Sequence, residues 1–219
     1  MRFDDARAAG RALAAALKAY EGRGDALVLA LARGGAGVGC EVSARLGLPL
    51  DLVALRRLLV SRGAQAPLCV ASVAGAPFLD EEIRDALREG DAAPDPALGH
   101  FLRDALAEFD ARVRAFRGRR PALDLAGKTV ILIDNGVRTG STMLAAVRAV
   151  RSRSPARLVA AAPVADPAAR ALVAAAVEEF VCLATPEPFG HVGLWYADFH
   201  RPSDDEIRAM LDERMKDEG

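Results

Sequence analysis

Short apolar runs alternate with amphipathic segments along most of the chain. A run such as ALVLALA at 26–32 is apolar on both faces and lies between turn residues, as is typical of a strand buried inside a parallel sheet. Between such runs, apolar residues spaced three and four positions apart predict helices. The pattern predicts strands over 26–32, 50–55, 129–134, 157–164 and 179–184, and helices over 2–20, 37–47, 97–117, 142–153, 167–177 and from Ser203 onward.

This alternation predicts the fold class. A helix between two strands favours parallel pairing, because it carries the chain back to the same end of the sheet. We therefore expect an α/β domain with an open, mostly parallel sheet and helices on both faces. The chain has 219 residues, which is enough for a single domain over 1–219.

The middle of the chain, residues 61–120, gives a weaker pattern. The segment PLCVASVAG at 67–75 is consistent with a strand, and residues 80–90 are consistent with a short helix. Residues 91–96, DAAPDP, predict a linker before the long amphipathic helix. Taken together, we expect 61–120 to be a variable helical insertion or a flexible region.

The end of that helix is rich in arginine. Residues 112–121, RVRAFRGRRP, hold five arginines in ten positions. Such a run can bind phosphate or nucleic acid, but it is more often the solvated end of a helix, where positive charge suits the helix dipole. We expect a solvated helix end.

The composition excludes several classes of protein. The net charge is -1 and charged residues make up 27% of the chain, which argues against bulk nucleic-acid or membrane binding. No apolar run approaches the roughly 18 residues of a membrane span, and the charged start MRFDDARAAGR is unlike a secretory signal. Cys40, Cys69 and Cys182 form no CxxC pair, so we expect reduced thiols in a cytoplasmic protein.

Residues 129–142, TVILIDNGVRTGST, carry the strongest chemical signal. The apolar strand ends on Asp134 and Asn135, at the carboxyl end where open parallel sheets bind their ligands. Gly140 lets the backbone approach a ligand closely, and a helix is predicted to begin near Thr142. The first amides of such a helix, with the hydroxyl groups around them, can cradle a phosphate.

The order of these groups suits a phosphorylated sugar. The side chains of Asp134 and Asn135 can accept hydrogen bonds from a diol, and the loop after them can hold a terminal phosphate. This arrangement predicts a site for a ribose 5-phosphate. The alternative is a turn that only caps an ordinary helix, because acidic and threonine-containing turns also do this.

The segment VILIDNGVRTGST closely resembles the 5-phosphoribosyl 1-pyrophosphate (PRPP) motif of type I phosphoribosyltransferases. In that motif an apolar strand is followed by two acids and a turn similar to T-G-x-T. LALARGGAGVGCEVSARLG resembles the family's first strand and pyrophosphate loop, and LDLVALRRL resembles its second strand. VCLATPEPFGHVGLWYADFHRPSDDEI is similar to the C-terminal segment of a bacterial subgroup of predicted phosphoribosyltransferases with unassigned substrates.

The resemblance implies an activity and its cofactor. Family members transfer the 5-phosphoribosyl group of PRPP to a nitrogenous base and release pyrophosphate, so both substrates are small molecules. They use Mg²⁺ that is bound mainly through PRPP. Catalysis would rest on positioning and electrostatics, without a covalent nucleophile. Related enzymes are commonly dimers, which implies a homodimer by analogy.

The resemblance also assigns roles to residues. Asp134 and Asn135 would hold the ribose hydroxyls at the catalytic centre. The 5-phosphate loop would comprise Arg138, Thr139, Gly140, Ser141 and Thr142. The pyrophosphate would lie against Arg33, Gly34, Gly35, Arg56 and Arg57.

Residues 185–202 would form a hood over the base. Trp195 and Tyr196 would offer faces for stacking a planar ring. Asp198 would face the base edge or the magnesium ion, which Asp134 would contact indirectly. The alternative for the aromatic residues is a small satellite core.

Asn135 and Arg138 are the departures from the family pattern that bear most on activity. Asn135 stands where the motif has its second acid, which removes one negative charge near the cation. Arg138 stands at a position that is acidic in purine-salvage members, and an arginine cannot act as a general base. These departures motivate a second hypothesis, a non-catalytic protein of the same fold that senses PRPP or a nucleotide.

A third hypothesis is a dinucleotide-binding oxidoreductase, because RGGAGVGC follows the first strand. The dinucleotide fingerprint needs glycines in the order G-x-G-x-x-G/A. Counted from Gly35 the last position is Cys40, and counted from Gly37 it is Val42. The second strand also ends on arginines rather than on an acid, so this hypothesis is disfavoured.

Overall fold

The computed structural model describes residues 1–58, 68–73, 75–79, 83–84, 87, 96–118 and 120–217. Its centre is a sheet whose described part has seven strands, in the order β4-β3-β2-β1-β5-β6-β7. The strands are β1 (Ala26–Leu31), β2 (Leu50–Leu58), β3 (Leu68–Val73), β4 (Ala76–Leu79), β5 (Thr129–Ile133), β6 (Arg157–Val164) and β7 (Glu179–Ala184). β2, β1, β5, β6 and β7 run parallel, whereas β3 and β4 are antiparallel to their neighbours.

Helices cover both faces of this sheet. They are α1 (Ala6–Ala16), α2 (Ala36–Leu46), α3 (Pro96–Arg117), α4 (Ser141–Arg151), α5 (Pro167–Ala174) and α6 (Asp204–Asp217), with 3₁₀ turns at Lys18–Tyr20 and Val192–Trp195. Strand β1 shows why both faces are apolar: Leu27, Leu29 and Leu31 pack towards α4 and α5. Val28 packs towards α1 and α2, and Ala30 towards α3 and α6. The predicted open, mostly parallel α/β fold is confirmed.

The N-terminal segment differs from the predicted helix over 2–20. Helix α1 begins only after Asp5, whose carboxylate accepts a hydrogen bond from the Ala8 amide. Before it, the Phe3 amide donates to the Trp195 carbonyl (2.8 Å) and the Phe3 carbonyl accepts from the Ala197 amide (2.7 Å). The chain start is therefore an extended segment paired with the C-terminal hood.

The region 61–120 is not simply helical. Residues of β3 and β4 add two antiparallel strands to the sheet, which confirms the strand expected near 67–75. The long helix predicted over 97–117 is confirmed as α3. The short helix expected over 80–90 and the linker at 91–96 fall largely outside the described residues.

The arginine-rich end of α3 is only partly solvated, because Arg114 is exposed whereas three other arginines of the run pair with acids. Arg112 pairs with Asp204 (2.9 Å), Arg117 with Asp51 (2.7 Å), and Arg120 with Asp212. The expectation was wrong for Arg117 and Arg120, whose side chains are 12% and 11% exposed, because their partners come from β2 and α6, which lie far from this run in the sequence. The three arginines tie α3 to the sheet and to the last helix.

The ion pair between Arg117 and Asp51 is the most buried of these contacts. Their side chains are only 12% and 8% exposed. The guanidinium donates to both carboxylate oxygens, at 2.7 and 2.9 Å. A Cβ atom at Gly75 would lie 2.5 Å from Arg117 Nε, so the β3–β4 turn is packed against the pair.

No helix in the described ranges combines the length and apolar character that crossing a membrane would require. Cys40 and Cys182 are free, half-buried cysteines. Burial raises the pKa of the Cys40 thiol to about 11, so this side chain stays protonated at neutral pH.

We predict that Asp51→Asn lowers the free energy of unfolding by about 2–4 kcal/mol, because the buried guanidinium loses its charged partner. Urea denaturation monitored by circular dichroism measures this loss. Asp110→Asn, at an exposed position on α3, is the matched control and should change stability by less than about 0.5 kcal/mol. Equal losses in the two variants would contradict a special role for the buried pair.

Candidate functional site

The loops that follow β1 and β5 meet at the carboxyl edge of the sheet, because these strands are parallel neighbours. A Cβ atom at Gly35 would lie 2.4 Å from the Ile133 carbonyl oxygen, and one at Gly34 would lie 3.0 Å from the Asn135 amide group. Gly35 has no room for a side chain, and at Gly34 a side chain would press on Asn135. The glycines therefore bring the predicted pyrophosphate loop against the predicted ribose motif.

The two helices that start from these loops are not capped by the side chains of their N-cap residues, although the Ser141 amide of α4 donates to Thr139 Oγ1 at 3.5 Å. Gly35 is the N-cap of α2 and Gly140 is the N-cap of α4, and neither residue makes a side-chain capping hydrogen bond. By contrast, Asp5 caps α1 and Asp166 caps α5. Uncapped first-turn amides and a positive dipole end are the features that bind anions.

The predicted 5-phosphate loop forms a small cavity of about 160 Å³. Gly140 takes a φ of +76°, which side-chain-bearing residues rarely adopt. Thr139 Oγ1 and Ser141 Oγ are hydrogen-bonded at 3.0 Å at the cavity wall. Arg138, Thr139, Gly140, Ser141 and Thr142 all line this cavity, together with Asp134 and Val192.

Asp134 follows β5 at the same edge. Its carboxylate accepts a hydrogen bond from the Asn135 amide at 2.8 Å, and the side chain is half-buried. Burial raises the pKa of Asp134 to about 7, although the Asn135 amide and the charge of Arg201 lower it in part. Ionised and protonated forms of this carboxyl group are therefore close in free energy at neutral pH.

Arg201 is a site residue that the sequence analysis missed. Its charge acts on Asp134, and its guanidinium lies 5.7 Å from the centre of the Phe199 ring. The only available signal was one basic residue directly after the aromatic tail segment. Its effect on the pKa of Asp134 depends on how the tail folds back, which no local pattern reveals.

Asn135 is fixed from two sides. Its side chain is 9% exposed and faces Gly34. Its backbone carbonyl accepts a hydrogen bond from the Tyr196 hydroxyl at 2.5 Å. The second residue of the predicted ribose motif is thus clamped between the pyrophosphate loop and the hood.

The aromatic rings of the hood point inward. Tyr196 is 2% exposed and packs between Phe3 and Phe199, with ring centres 5.8 and 5.4 Å away. The Trp195 indole donates to the Phe189 carbonyl at 3.1 Å and is half-buried. Tyr196 therefore has no free face for a base, which corrects its predicted stacking role; the satellite-core alternative describes it better.

Asp198 is exposed and has a different environment from these rings. It lines a cavity of about 350 Å³ together with Gly34, His200 and residues of α1, α2 and α6. The backbone amide of Asp198 donates to the Asp4 carbonyl at 2.8 Å, which fixes the hood at this point. Asp134 lines a different cavity, the one formed by the phosphate loop.

The predicted pyrophosphate arginines line a third cavity, of about 330 Å³. Arg33 lies 3.2 Å from Asp204, and Arg56 donates to Glu108 at 2.8 Å. Both guanidinium groups therefore face the same space. The Arg57 side chain lies outside the described residues, although its backbone pairs with Cys69 in the sheet.

Comparison with known proteins identifies the class to which this fold and site belong. A family model described as the phosphoribosyl transferase domain matches residues 3–194. The chain therefore belongs to the phosphoribosyltransferase family. This confirms the resemblance and excludes the hypothesis of a dinucleotide-binding oxidoreductase.

Individual relatives agree with this assignment. A Mycobacterium tuberculosis protein named "putative phosphoribosyl transferase" is 34% identical over 215 residues, which cover 98% of this chain and 47% of the relative. The chain thus spans about half the length of the curated relatives it matches. The crystal structure of TT1426 from Thermus thermophilus has a TM-score of 0.76 and 36% identity, covering 97% of this chain and 99% of that one.

A more distant structure shares the fold alone. A Neisseria gonorrhoeae protein, crystallised with bound ppGpp, has a TM-score of 0.50 and 14% identity and covers 98% of this chain and 99% of its own.

We predict that the raised pKa of Asp134 makes stability depend on pH in the ligand-free protein. The folded pKa of about 7 exceeds the unfolded value near 3.9, so stability from this group is present at low pH and is lost as pH rises through 7. Asp134→Asn should therefore be more stable than wild type by roughly 1–3 kcal/mol at pH 8, with little difference near pH 4.

Urea denaturation at pH 4, 6 and 8 measures this difference. Asp110→Asn serves as the control, because its exposed side chain has no such burial. A stability difference between Asp134→Asn and wild type that stays constant over this range would contradict the prediction.

Proposed function

We propose that this domain binds PRPP across the loops after β1 and β5 and transfers its 5-phosphoribosyl group to a nitrogenous base. One observation carries the proposal. Helices α2 and α4 both start at a glycine that makes no side-chain capping hydrogen bond, and they begin at the same edge of the sheet, beside the half-buried Asp134. Two anion sites with an acid beside them match a sugar that is phosphorylated at both ends.

The proposed roles follow from these positions. The 5-phosphate would bind the amides and hydroxyl groups of residues 138–142 at the start of α4. The ribose hydroxyls would bind Asp134 and the neighbouring Asn135. The pyrophosphate would bind the backbone of residues 33–35, with positive charge from Arg56 and from Arg201.

The chemistry requires no covalent intermediate. In the proposed reaction the bond between ribose C1 and the pyrophosphate oxygen breaks, and its electron pair leaves with the pyrophosphate. The lone pair of the acceptor nitrogen forms the new bond to C1, and the proton that this nitrogen loses passes to the departing pyrophosphate. Negative charge that builds on the leaving group would be stabilised by the arginines and amides, and positive charge on the ring by ionised Asp134.

Magnesium fits this site as an ion that arrives with the substrate. Across the part of the chain that the structure covers, no group of three or more His, Cys, Asp or Glu side chains is placed to hold a metal ion. Single carboxylates such as Asp134 and Asp198 would leave water and phosphate oxygens to complete the shell, as Mg²⁺ prefers. We therefore expect PRPP binding to require Mg²⁺.

The test is release of pyrophosphate from PRPP and Mg²⁺ across a panel of purine, pyrimidine and other nitrogen heterocycles. The proposal predicts release with at least one base and none after chelation of the metal. Failure of the protein to bind PRPP by calorimetry would overturn it. Because related enzymes are commonly dimers, the assay should be run at the protein concentration where the oligomeric state has been measured.

A second candidate is a non-catalytic sensor of PRPP or a nucleotide. It is favoured by Asn135, which replaces an acid, and by the carboxylates of Asp204 and Glu108, which already neutralise Arg33 and Arg56. PRPP binding without pyrophosphate release for any base would support this candidate over the enzyme.

We predict that Gly140→Ala weakens binding of ribose 5-phosphate about tenfold. A Cβ atom at a φ of +76° strains the loop by roughly 1 kcal/mol or more and moves the amides that would face the phosphate. Isothermal titration calorimetry measures the affinity.

Gly127→Ala is the matched control for this substitution. Gly127 has a similar φ of +68°, its Cβ atom would meet nothing within 4 Å, and it lies in the turn before β5. It should carry a similar backbone strain without changing ribose 5-phosphate affinity. Equal weakening in both variants would show that the loss comes from general destabilisation.

A further inference from the structure

Asp204, the first residue of α6, lies between two arginines from different parts of the chain. Arg112 of α3 donates to both of its oxygens, at 2.9 and 3.3 Å. Arg33 of the pyrophosphate loop lies 3.2 Å from one of the same oxygens. The three side chains form an Arg–Asp–Arg bridge from α3 through α6 to the candidate site.

The position of Asp204 is fixed by the start of its helix. The Glu206 amide donates to the Ser203 hydroxyl (3.2 Å), and the Ser203 amide donates to the Glu206 carboxylate (2.7 Å). This reciprocal capping box defines where α6 begins. Asp204 comes directly after the cap, where a negative charge suits the helix dipole.

Helix α6 is itself held against α3. Ile207 and Leu211 are 1% and 4% exposed and pack in one cluster with Leu102, Phe109 and Val113 of α3. Arg120, which follows α3, forms an ion pair with Asp212, which lies further along α6 than Asp204. Asp204 and Arg112 therefore meet between two helices that pack against each other.

The backbone of the predicted pyrophosphate loop is already anchored to the sheet on both sides of Arg33. Gly34 and Gly35 hold it against the end of β5, and the Ala32 amide donates to the Val53 carbonyl at 2.9 Å. Arg33 lies between these anchors with a side chain that is 45% exposed. Its only ion pair within the described ranges is the one with Asp204.

We propose that Asp204 is a positioning residue for the pyrophosphate loop, which it holds through Arg33 while Arg112 holds Asp204. The inference rests on the proposed function, because it assigns the loop to pyrophosphate. An ion pair this exposed contributes little to global stability. Its effect is instead to restrict the Arg33 side chain and loop before the ligand arrives, which reduces the entropy lost on binding.

The test compares Asp204→Asn with Asp205→Asn. Asp205 lies in the same first turn of α6 and is exposed. Calorimetry with Mg²⁺ would use three probes: PRPP, pyrophosphate and ribose 5-phosphate. Asp204→Asn should weaken PRPP and pyrophosphate about three- to tenfold, and should leave ribose 5-phosphate, which lacks the pyrophosphate group, within about twofold of wild type.

Each outcome decides the question. Equal affinities in the two variants, or tighter PRPP binding by Asp204→Asn, would overturn the proposal. Tighter binding would mean that Asp204 competes with the pyrophosphate. Weakening of all three probes would also overturn it, because a general structural defect would explain that result. If wild type binds none of the probes, the proposed function itself fails.

A second pair of variants tests the other end of the bridge. Arg112→Met should weaken PRPP in the same direction as Asp204→Asn, because Asp204 would lose its bidentate partner. Arg114→Met, at an exposed position in the same helix, is the control and should have no effect. Normal PRPP affinity in Arg112→Met would contradict the role given to α3.

Discussion

The close approach of the β1 loop to the end of β5 is the constraint on which the site depends. At Gly35 even a methyl group would overlap the carbonyl of Ile133, and at Gly34 it would press on Asn135. Parallel pairing of the two strands brings both loops to one edge. Gly35 is also the N-cap of α2, so the glycine that the close contact requires leaves the first turn of that helix without an N-cap side-chain hydrogen bond.

Much of the fold could be predicted because the burial of each strand and helix follows from the apolar pattern of its own residues. Each parallel strand is a short apolar run, and the alternation with helices fixed the fold class. The extended segment at Phe3 could not be predicted, since its partner is the hood near the other end of the chain. The arginines of α3 were misjudged for a similar reason: whether a guanidinium is solvated or paired with Asp51 depends on tertiary neighbours.

The sequence predicted where the backbone of the candidate site lies better than it predicted where the side chains point. The motif placed Asp134 and the loop at 138–142 at the sheet edge, where the structure has them. The direction of a side chain depends on what packs around it. Tyr196 was expected to face a base but is buried, and Arg201, whose charge acts on Asp134, carried no motif.

The pairing of the chain start with the hood has a consequence for the order of folding. Arg2 Nε donates to the Tyr196 carbonyl across 194 positions of sequence, and the Tyr196 hydroxyl in turn holds the backbone of Asn135. Contacts this distant in sequence are costly in loop-closure entropy and tend to form late. The ribose motif therefore acquires its final support only after the hood has packed against the chain start.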